Sequence, residues 1–255
     1  MQHLFTPEGE AALAALLRRR PLFGFDFDGT LAPIVAEPAA ARIPPAVTGR
    51  LRLLAELAPV VVISGRAIDD LRRRLGFEPR HVVGSHGAED PLHAPEATAG
   101  EHAAALDPLR EHLRAHAGEL AAAGVDVEDK RQSIALHYRR AAALGQARSL
   151  IERLLEDPPG RPTVFAGKLV YNATAPGAPD KAGALQKLLR RCDADCAIFA
   201  GDDVNDEPVF AAAPADWVTV HVGRGPSQAR FYIDGPRQMV GLLERALRGL
   251  RAEQD

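Results

Sequence analysis

The sequence predicts an α/β fold: a parallel sheet with helices packed on it, and a smaller α/β unit inserted into the same chain. Three observations carry this. Residues 22–27, 59–63 and 196–200 are apolar runs rich in Val, Ile and Phe without alternation, as strands buried on both faces of a parallel sheet are. Helical periodicity alternates with them at 47–57, where Leu51, Leu54 and Leu57 share a face, and at 68–75, 182–189 and 239–250. The length of 255 residues exceeds the roughly 150 of one ordinary domain, leaving room for a companion unit.

That companion is expected in the middle of the chain. Residues 89–118 are rich in Ala, His and Pro, and strand-like segments at 125–139 and 163–174 flank a helical pattern at 141–155. The domain arithmetic gives a core of residues 1–87 and 174–255 with an α/β insert at 88–173. No internal repeat or low-complexity tract interrupts this pattern.

A hydrophobic fraction of 46% with 25% charged residues excludes disordered and fibrous classes. The net charge of -3, from 31 basic and 34 acidic residues, supplies no field for nucleic acid or an anionic membrane, so neither is expected as a partner. An anionic small molecule must be held locally. Cys192 and Cys196 form neither a disulfide framework nor a complete zinc site. No run of about 18 apolar residues occurs, and Glu8 and Glu10 precede Arg18 to Arg20, the reverse of a signal peptide's order, so the protein is expected in the cytoplasm. Oligomeric state is left open, with a monomer as the default.

Four polar clusters stand where apolar runs end. Asp26-Phe27-Asp28-Gly29-Thr30 follows the first; an Asp-Gly pair by itself is a turn, but Asp26 continues directly from Phe23, Gly24 and Phe25, where a carboxylate is costly to desolvate without a facing cation. Ser64-Gly65-Arg66 follows the second, either as a strand end with a helix cap or as a hydroxyl and backbone N-H groups that hold phosphate. Lys181 opens a helix, where a cation opposes the macrodipole. Gly201-Asp202-Asp203-Val204-Asn205-Asp206-Glu207 follows the third run; Asn205 reads as a cap with Asp206 and Glu207 in the first turn, which leaves Asp202 and Asp203 unexplained. In an open α/β sheet all four would converge beyond the carboxyl ends of the strands, around a hole the size of a phosphate.

This order of motifs resembles the haloacid dehalogenase superfamily of phosphotransferases, and implies a Rossmann-like core with an inserted cap. Within it, residues 26–34, Gly84-Ser85-His86-Gly87-Ala88-Glu89, Val127-Glu128-Asp129-Lys130, His137-Tyr138-Arg139, Gly167-Lys168 and the tail 220–232 resemble the trehalose-6-phosphate phosphatases. The likeness runs from about residue 22 to 245. It implies hydrolysis of a sugar phosphate, with Asp26 as nucleophile, Asp28 as general acid and base, and Ser64 and Lys181 on the phosphoryl oxygens. It implies Mg2+ held by Asp26, the main-chain oxygen of Asp28 and Asp202, with Asp203 and Asp206 acting through water or by orienting Lys181. Gly65, Arg66, His86, Glu128, Lys130, Lys168 and Asn172 fall at substrate-binding positions.

The chain departs from the family at Asn172, where glutamate is usual, at Thr174, where arginine is common, at Arg131 in place of glycine and at Asn205 in place of threonine. These changes bear on the sugar and leave the phosphatase chemistry intact. The alternatives are therefore a phosphatase of sucrose, glucosylglycerol or mannosylglycerate phosphate, and a sugar-phosphate sensor without turnover. Trp217 is read as packing, and His102, His112 and His116, at helical spacings without partnering acids, as solvated.

Overall fold

The computed structural model describes residues 1–35, 37–92 and 96–253, with the side chains of 96–99 left aside. The chain divides into two compact units, residues 1–87 with 180–255, and residues 88–179. The return to the first unit falls at Asp180, later than the expected 174, because Thr174 is paired with Ser133 and Thr163 in the second unit's sheet.

The first unit opens with β1 (Gln2–His3), α1 (Pro7–Leu17), β2 (Pro21–Phe25), α2 (Pro45–Leu57), β3 (Val60–Ile63), α3 (Ile68–Leu75) and β4 (His81–Val83). The second unit carries α4 (Glu96–Ala105), α5 (Asp107–Ala115), α6 (Ala117–Ala122), β5 (Asp126–Asp129), β6 (Ser133–His137), α7 (Leu144–Leu154), β7 (Thr163–Gly167) and β8 (Val170–Thr174). The chain then completes the first unit with α8 (Lys181–Arg191), β9 (Cys196–Gly201), α9 (Glu207–Ala212), β10 (Val218–Val222), β11 (Phe231–Ile233) and α10 (Met239–Ala252).

The first unit's seven strands run in the order β1-β11-β10-β9-β2-β3-β4, every pair parallel. Every residue of β2, β3 and β9 is buried, which accounts for their continuous apolar runs. α2 packs on α10 and α8 on α9, and the core joins Phe23, Phe25, Leu51, Leu54, Ile198, Phe199, Leu242 and Leu243; Trp217 belongs to it, as read from the sequence. Because β9, β2, β3 and β4 are neighbours and parallel, the residues after their carboxyl ends emerge along one edge of the sheet.

The second unit has an antiparallel sheet in the order β5-β6-β8-β7. The two segments read as single strands, 125–139 and 163–174, are each a pair of strands, turning through Arg131 at φ 68° and Leu169 at φ 60°. Ile134, Leu136 and Ala173 pack on Leu109, Leu113, Leu120 and Ile151 of the helices, so the alternate residues of β6 and β8 occupy the opposite face. His112 and His116 are half-buried rather than solvated: His112 Nε2 lies 3.2 Å from the Leu154 carbonyl, His116 Nδ1 lies 2.9 Å from the His112 carbonyl, and their rings are 4.7 Å apart. Helix packing against α7 turns that face inward. His102 is likewise half-buried. Both cysteines are free thiols. Among the described residues no helix is long and apolar enough to cross a membrane.

Candidate active site

β2 ends at Phe25, and the Asp26 N-H still donates to the Ala200 carbonyl at 2.9 Å, so the first acidic residue is fixed by the ladder itself. Lys181 is the first residue of α8, whose cap, Asp180, accepts from the Gly183 N-H at 2.8 Å. The cation that opposed the macrodipole finds its reason here. Lys181 is only 1% exposed, and its Nζ sits 2.9 Å from Asp26 Oδ1 and 2.8 Å from Asp206 Oδ1. Burial alone would lower its ammonium, but the charges of Asp206 and Asp26 outweigh that and raise it, so Lys181 stays protonated. Asp26 feels the opposite balance: burial pushes its carboxyl well above the usual carboxylate range, Lys181 opposes, and the Asp206 and Asp202 charges add to the rise.

The loop after β9 folds differently from its sequence reading. The cap is Asp203, not Asn205: Asp203 Oδ1 accepts from the Val204 N-H at 2.8 Å at the head of a single 3-10 turn over Val204–Asp206, and α9 begins after it. Asp206 Oδ2 accepts from the Asp202 and Asp203 N-H groups at 3.0 and 3.1 Å, while its other oxygen holds Lys181. Asp206 thus ties Lys181 to the backbone of this loop. Glycine is demanded at two points. A Cβ on Gly201 would lie 2.2 Å from Asp206 Cγ, and one on Gly29, at φ 80°, would lie 2.1 Å from Asp202 Oδ2.

Carboxylate oxygens of Asp26, Asp202 and Asp206 lie within 4.8 Å of one another, all three residues buried. Their mutual repulsion and all-oxygen chemistry suit a hard divalent cation, and the space above Gly29 keeps Asp202 against the loop that carries Asp28. A cluster that raises Asp26 in isolation would hold it ionised once such an ion is bound.

Asp28 lies apart from that carboxylate cluster. Its two oxygens accept from Arg66 Nε and Nη2 at 2.7 and 2.8 Å, a fork-to-fork pair. Arg66, read from the sequence as a substrate contact, thus spends its donors on Asp28, on Asp70 at 2.8 Å and on the Pro38 carbonyl at 2.9 Å. Ser64 is buried at the end of β3; its Oγ accepts from the Arg66 N-H at 3.2 Å, and the cap of α3 is Ala67, without a side-chain bond. Gly65 packs on the buried His86 ring, 2.3 Å from where its Cβ would stand. His86 and Ser85, at φ 59° and 49°, form the strained turn after β4, stitched to β3 by the His86 N-H on the Ser64 carbonyl at 2.9 Å.

In the second unit, register sets Glu128, Ala135, Asn172 and Phe165 in one row across four strands, on the face away from the helices. Glu128 is bonded to His137 Nε2 at 3.0 Å and paired with Lys130 at 3.5 Å; the hydrogen bond from His137, with Lys130's charge, lowers its carboxyl to about 2 against the effect of burial. Asn172 and Thr174 are both buried. Lys168 stands at the β7–β8 turn, four residues along β8 from Asn172 and outside that row. Sequence reasoning overlooked Asp70 and Arg74, on one face of α3, and His137 as the partner of Glu128; a charge spacing of four residues on the helix was the available signal for the first pair.

Residues 24–236 match the family model described as trehalose-phosphatase. A trehalose-phosphate phosphatase of Mycobacterium tuberculosis is 32% identical over 254 residues, covering 92% of this chain and 63% of the relative. The chain thus spans about three fifths of the length of the curated relatives first matched. Residues of an uncharacterized glycosyl hydrolase of the same organism are 35% identical over 239 residues, covering 87% of this chain but 18% of that protein. Among solved structures, the C-terminal domain of Candida albicans trehalose-6-phosphate phosphatase shares the fold, with a TM-score of 0.79 at 22% identity over 93% of this chain and 95% of that one. Aspergillus fumigatus trehalose-6-phosphate phosphatase gives a TM-score of 0.63 at 26% identity, covering 94% of this chain and 97% of that one. With the parallel sheet and the carboxylate cluster at its edge now joined by a match over most of its length, the chain belongs to the trehalose-phosphatase family.

Proposed function

We propose that the chain is a magnesium-dependent phosphatase that hydrolyses trehalose 6-phosphate to trehalose and inorganic phosphate through an aspartyl phosphate. The observation that carries this reading is the buried Lys181 ammonium bonded at once to Asp26 and Asp206, beside Asp202 at the carboxyl end of β9. An Asp26 oxygen attacks phosphorus as the bond from phosphorus to the sugar oxygen breaks, and the Asp28 carboxylic acid gives its proton to that departing oxygen. The Asp28 carboxylate then takes a proton from the water that cleaves the aspartyl phosphate, releasing phosphate and restoring Asp26. Two of the three Lys181 donors are spent on carboxylates, which leaves one for a phosphoryl oxygen; the Ser64 hydroxyl holds another.

Magnesium, when bound, supplies positive charge against the phosphoryl oxygens; Asp26, Asp202 and the main-chain oxygen of Asp28 would hold it, with Asp206 keeping Lys181 in line. Chelation is expected to silence phosphate release and magnesium to restore it, with isothermal titration reporting magnesium binding independently; rescue by zinc alone would overturn the ligand assignment.

Residues 88–179 form the specificity unit of this reading. The row of Glu128 and Asn172, separated by the small Ala135, offers charged and amide groups to sugar hydroxyls. Lys130→Ala is expected to raise KM for the disaccharide phosphate about tenfold, the scale of one charge-assisted hydrogen bond, and to spare p-nitrophenyl phosphate. An equal loss on both esters removes Lys130 from sugar recognition. Asn172 favours comparison with neighbouring sugars, since an amide brings no charge where the family's glutamate does. The test is phosphate release from trehalose 6-phosphate beside sucrose, glucosylglycerol and mannosylglycerate phosphates: a clear preference for the first is expected, and equal rates on all would sink the trehalose assignment. Absence of turnover on every ester leaves the sensor reading in its place.

A further inference from the structure

Resting on the phosphatase reading, we propose that Asp70 is a positioning residue for the acid step, acting through Arg66 to set the Asp28 carboxyl that protonates the leaving sugar oxygen. Four charges form a line in the first unit. Arg74 donates to both Asp70 oxygens, from Nε at 2.8 Å and Nη2 at 2.5 Å; Asp70 accepts from Arg66 Nη1 at 2.8 Å; and Arg66 grips Asp28 with Nε and Nη2. The two arginine side chains are only 12% and 9% exposed, so neither fork can turn away into water, while Asp28 is 42% exposed and keeps its oxygens within reach of a substrate.

An ordinary helix pair would join Asp70 and Arg74 alone, four residues apart on α3. Here Asp70 is shared by the two buried guanidinium groups of Arg66 and Arg74, which otherwise face one another with a single counter-charge, Asp28; the exposed Arg73 adds a longer contact at 3.4 Å. The same arginines reach the turn at residues 38–40 that follows the Asp28 loop: Arg66 Nη2 donates to the Pro38 carbonyl at 2.9 Å and Arg74 Nη1 to the Ala39 carbonyl. Phe27 backs the Arg66 guanidinium at 5.3 Å, so the plane of the fork is set by Asp70 on one edge and an aromatic face behind. Despite burial, the hydrogen bonds and charges of Arg74 and Arg66 hold Asp70 well below the usual carboxylate range, so it stays ionised as the anchor. Arg66 occupies one acceptor position on each Asp28 oxygen, and a carboxylate has about four, so both oxygens keep a position open toward a substrate with the fork in place.

Removing the anchor frees the fork and, through it, Asp28. The loss in kcat/KM, which covers the steps up to leaving-group release, must then follow the leaving group: a sugar alkoxide needs the proton, whereas p-nitrophenolate departs without one; the water step, in which Asp28 is the base, is common to all esters and enters kcat alone. Asp70→Asn is expected to lower kcat/KM for trehalose 6-phosphate and glucose 6-phosphate about tenfold to a hundredfold, with KM nearly unchanged, and to change p-nitrophenyl phosphate less than twofold. Asp70→Glu, which keeps the charge, is expected to recover most of the loss, and Arg74→Gln to give a smaller loss with the same dependence on leaving group. Thermal unfolding of each variant separates folding from chemistry. A uniform loss of kcat/KM on all esters, or wild-type kcat/KM in Asp70→Asn, overturns the assignment while the phosphatase reading stands on the wild-type rates. A wild-type chain inert toward every ester overturns both.

Discussion

Asp26→Asn is expected to cut phosphate release at least about a thousandfold, because no other carboxylate in the cluster can replace the attacking oxygen. The same change is expected to leave the unfolding midpoint in metal-free buffer equal to or above that of the parent chain. Burial, opposed by Lys181 and reinforced by the charges of Asp206 and Asp202, already raises the Asp26 carboxyl, and an amide is its uncharged isostere, still able to accept from Lys181 at the position now 2.9 Å away. Activity and stability are therefore driven apart by one substitution. Measured phosphate release above a hundredth of the parent rate would remove the covalent role, and a drop in the midpoint would mean that the ion pair with Lys181 outweighs the repulsion.

Lys181→Met works in the other direction. Methionine preserves most of the buried volume but leaves Asp26 and Asp206, together with Asp202, without their ammonium. Breaking a buried ion pair on one side costs about 3 to 5 kcal/mol, since the remaining charge stays uncompensated. Urea unfolding at neutral pH without magnesium is expected to register a loss of that size, and millimolar magnesium to recover part of it by binding the folded carboxylates. Activity is expected to stay low even then, because the donor for the phosphoryl oxygen is gone. A stability change below about 1 kcal/mol would show that the lysine is not what holds the acidic residues together.

Much of the first unit was legible in one dimension, and the reason is parallel packing. Strands buried on both faces have to be apolar throughout, so β2, β3 and β9 announce themselves, and their ends are marked wherever a polar residue interrupts the run. Asp26, Ser64 and Asp202 sit at those interruptions, and parallel order sends all three to one edge of the sheet. Lys181 was legible as an anomaly, a cation at the wrong end of a helix. The second unit was less legible. Short antiparallel turns are marked in a sequence by glycine or asparagine at their left-handed positions; here Arg131 and Leu169 hold those positions, so 125–139 and 163–174 looked continuous.

What the sequence determined by itself is the set of groups: acidic and hydroxyl residues where apolar runs end, a lysine at the wrong end of a helix, and an all-oxygen cation chemistry, with the nucleophile's identity implied by the family resemblance. What only the tertiary structure decided is who faces whom. Asp206 bonds Lys181 with one oxygen and two backbone N-H groups with the other, and Asp203 rather than Asn205 caps the turn, because a 3-10 turn rotates those side chains differently from the α-helix that periodicity suggests. Arg66 turns to Asp28 and Asp70 because two carboxylates separated by 42 residues in the chain meet at one guanidinium, a convergence that spacing along the sequence does not encode. Electrostatic pairing at that range depends on distances of a few ångströms and on the exclusion of water, and both exist only once the sheet has formed.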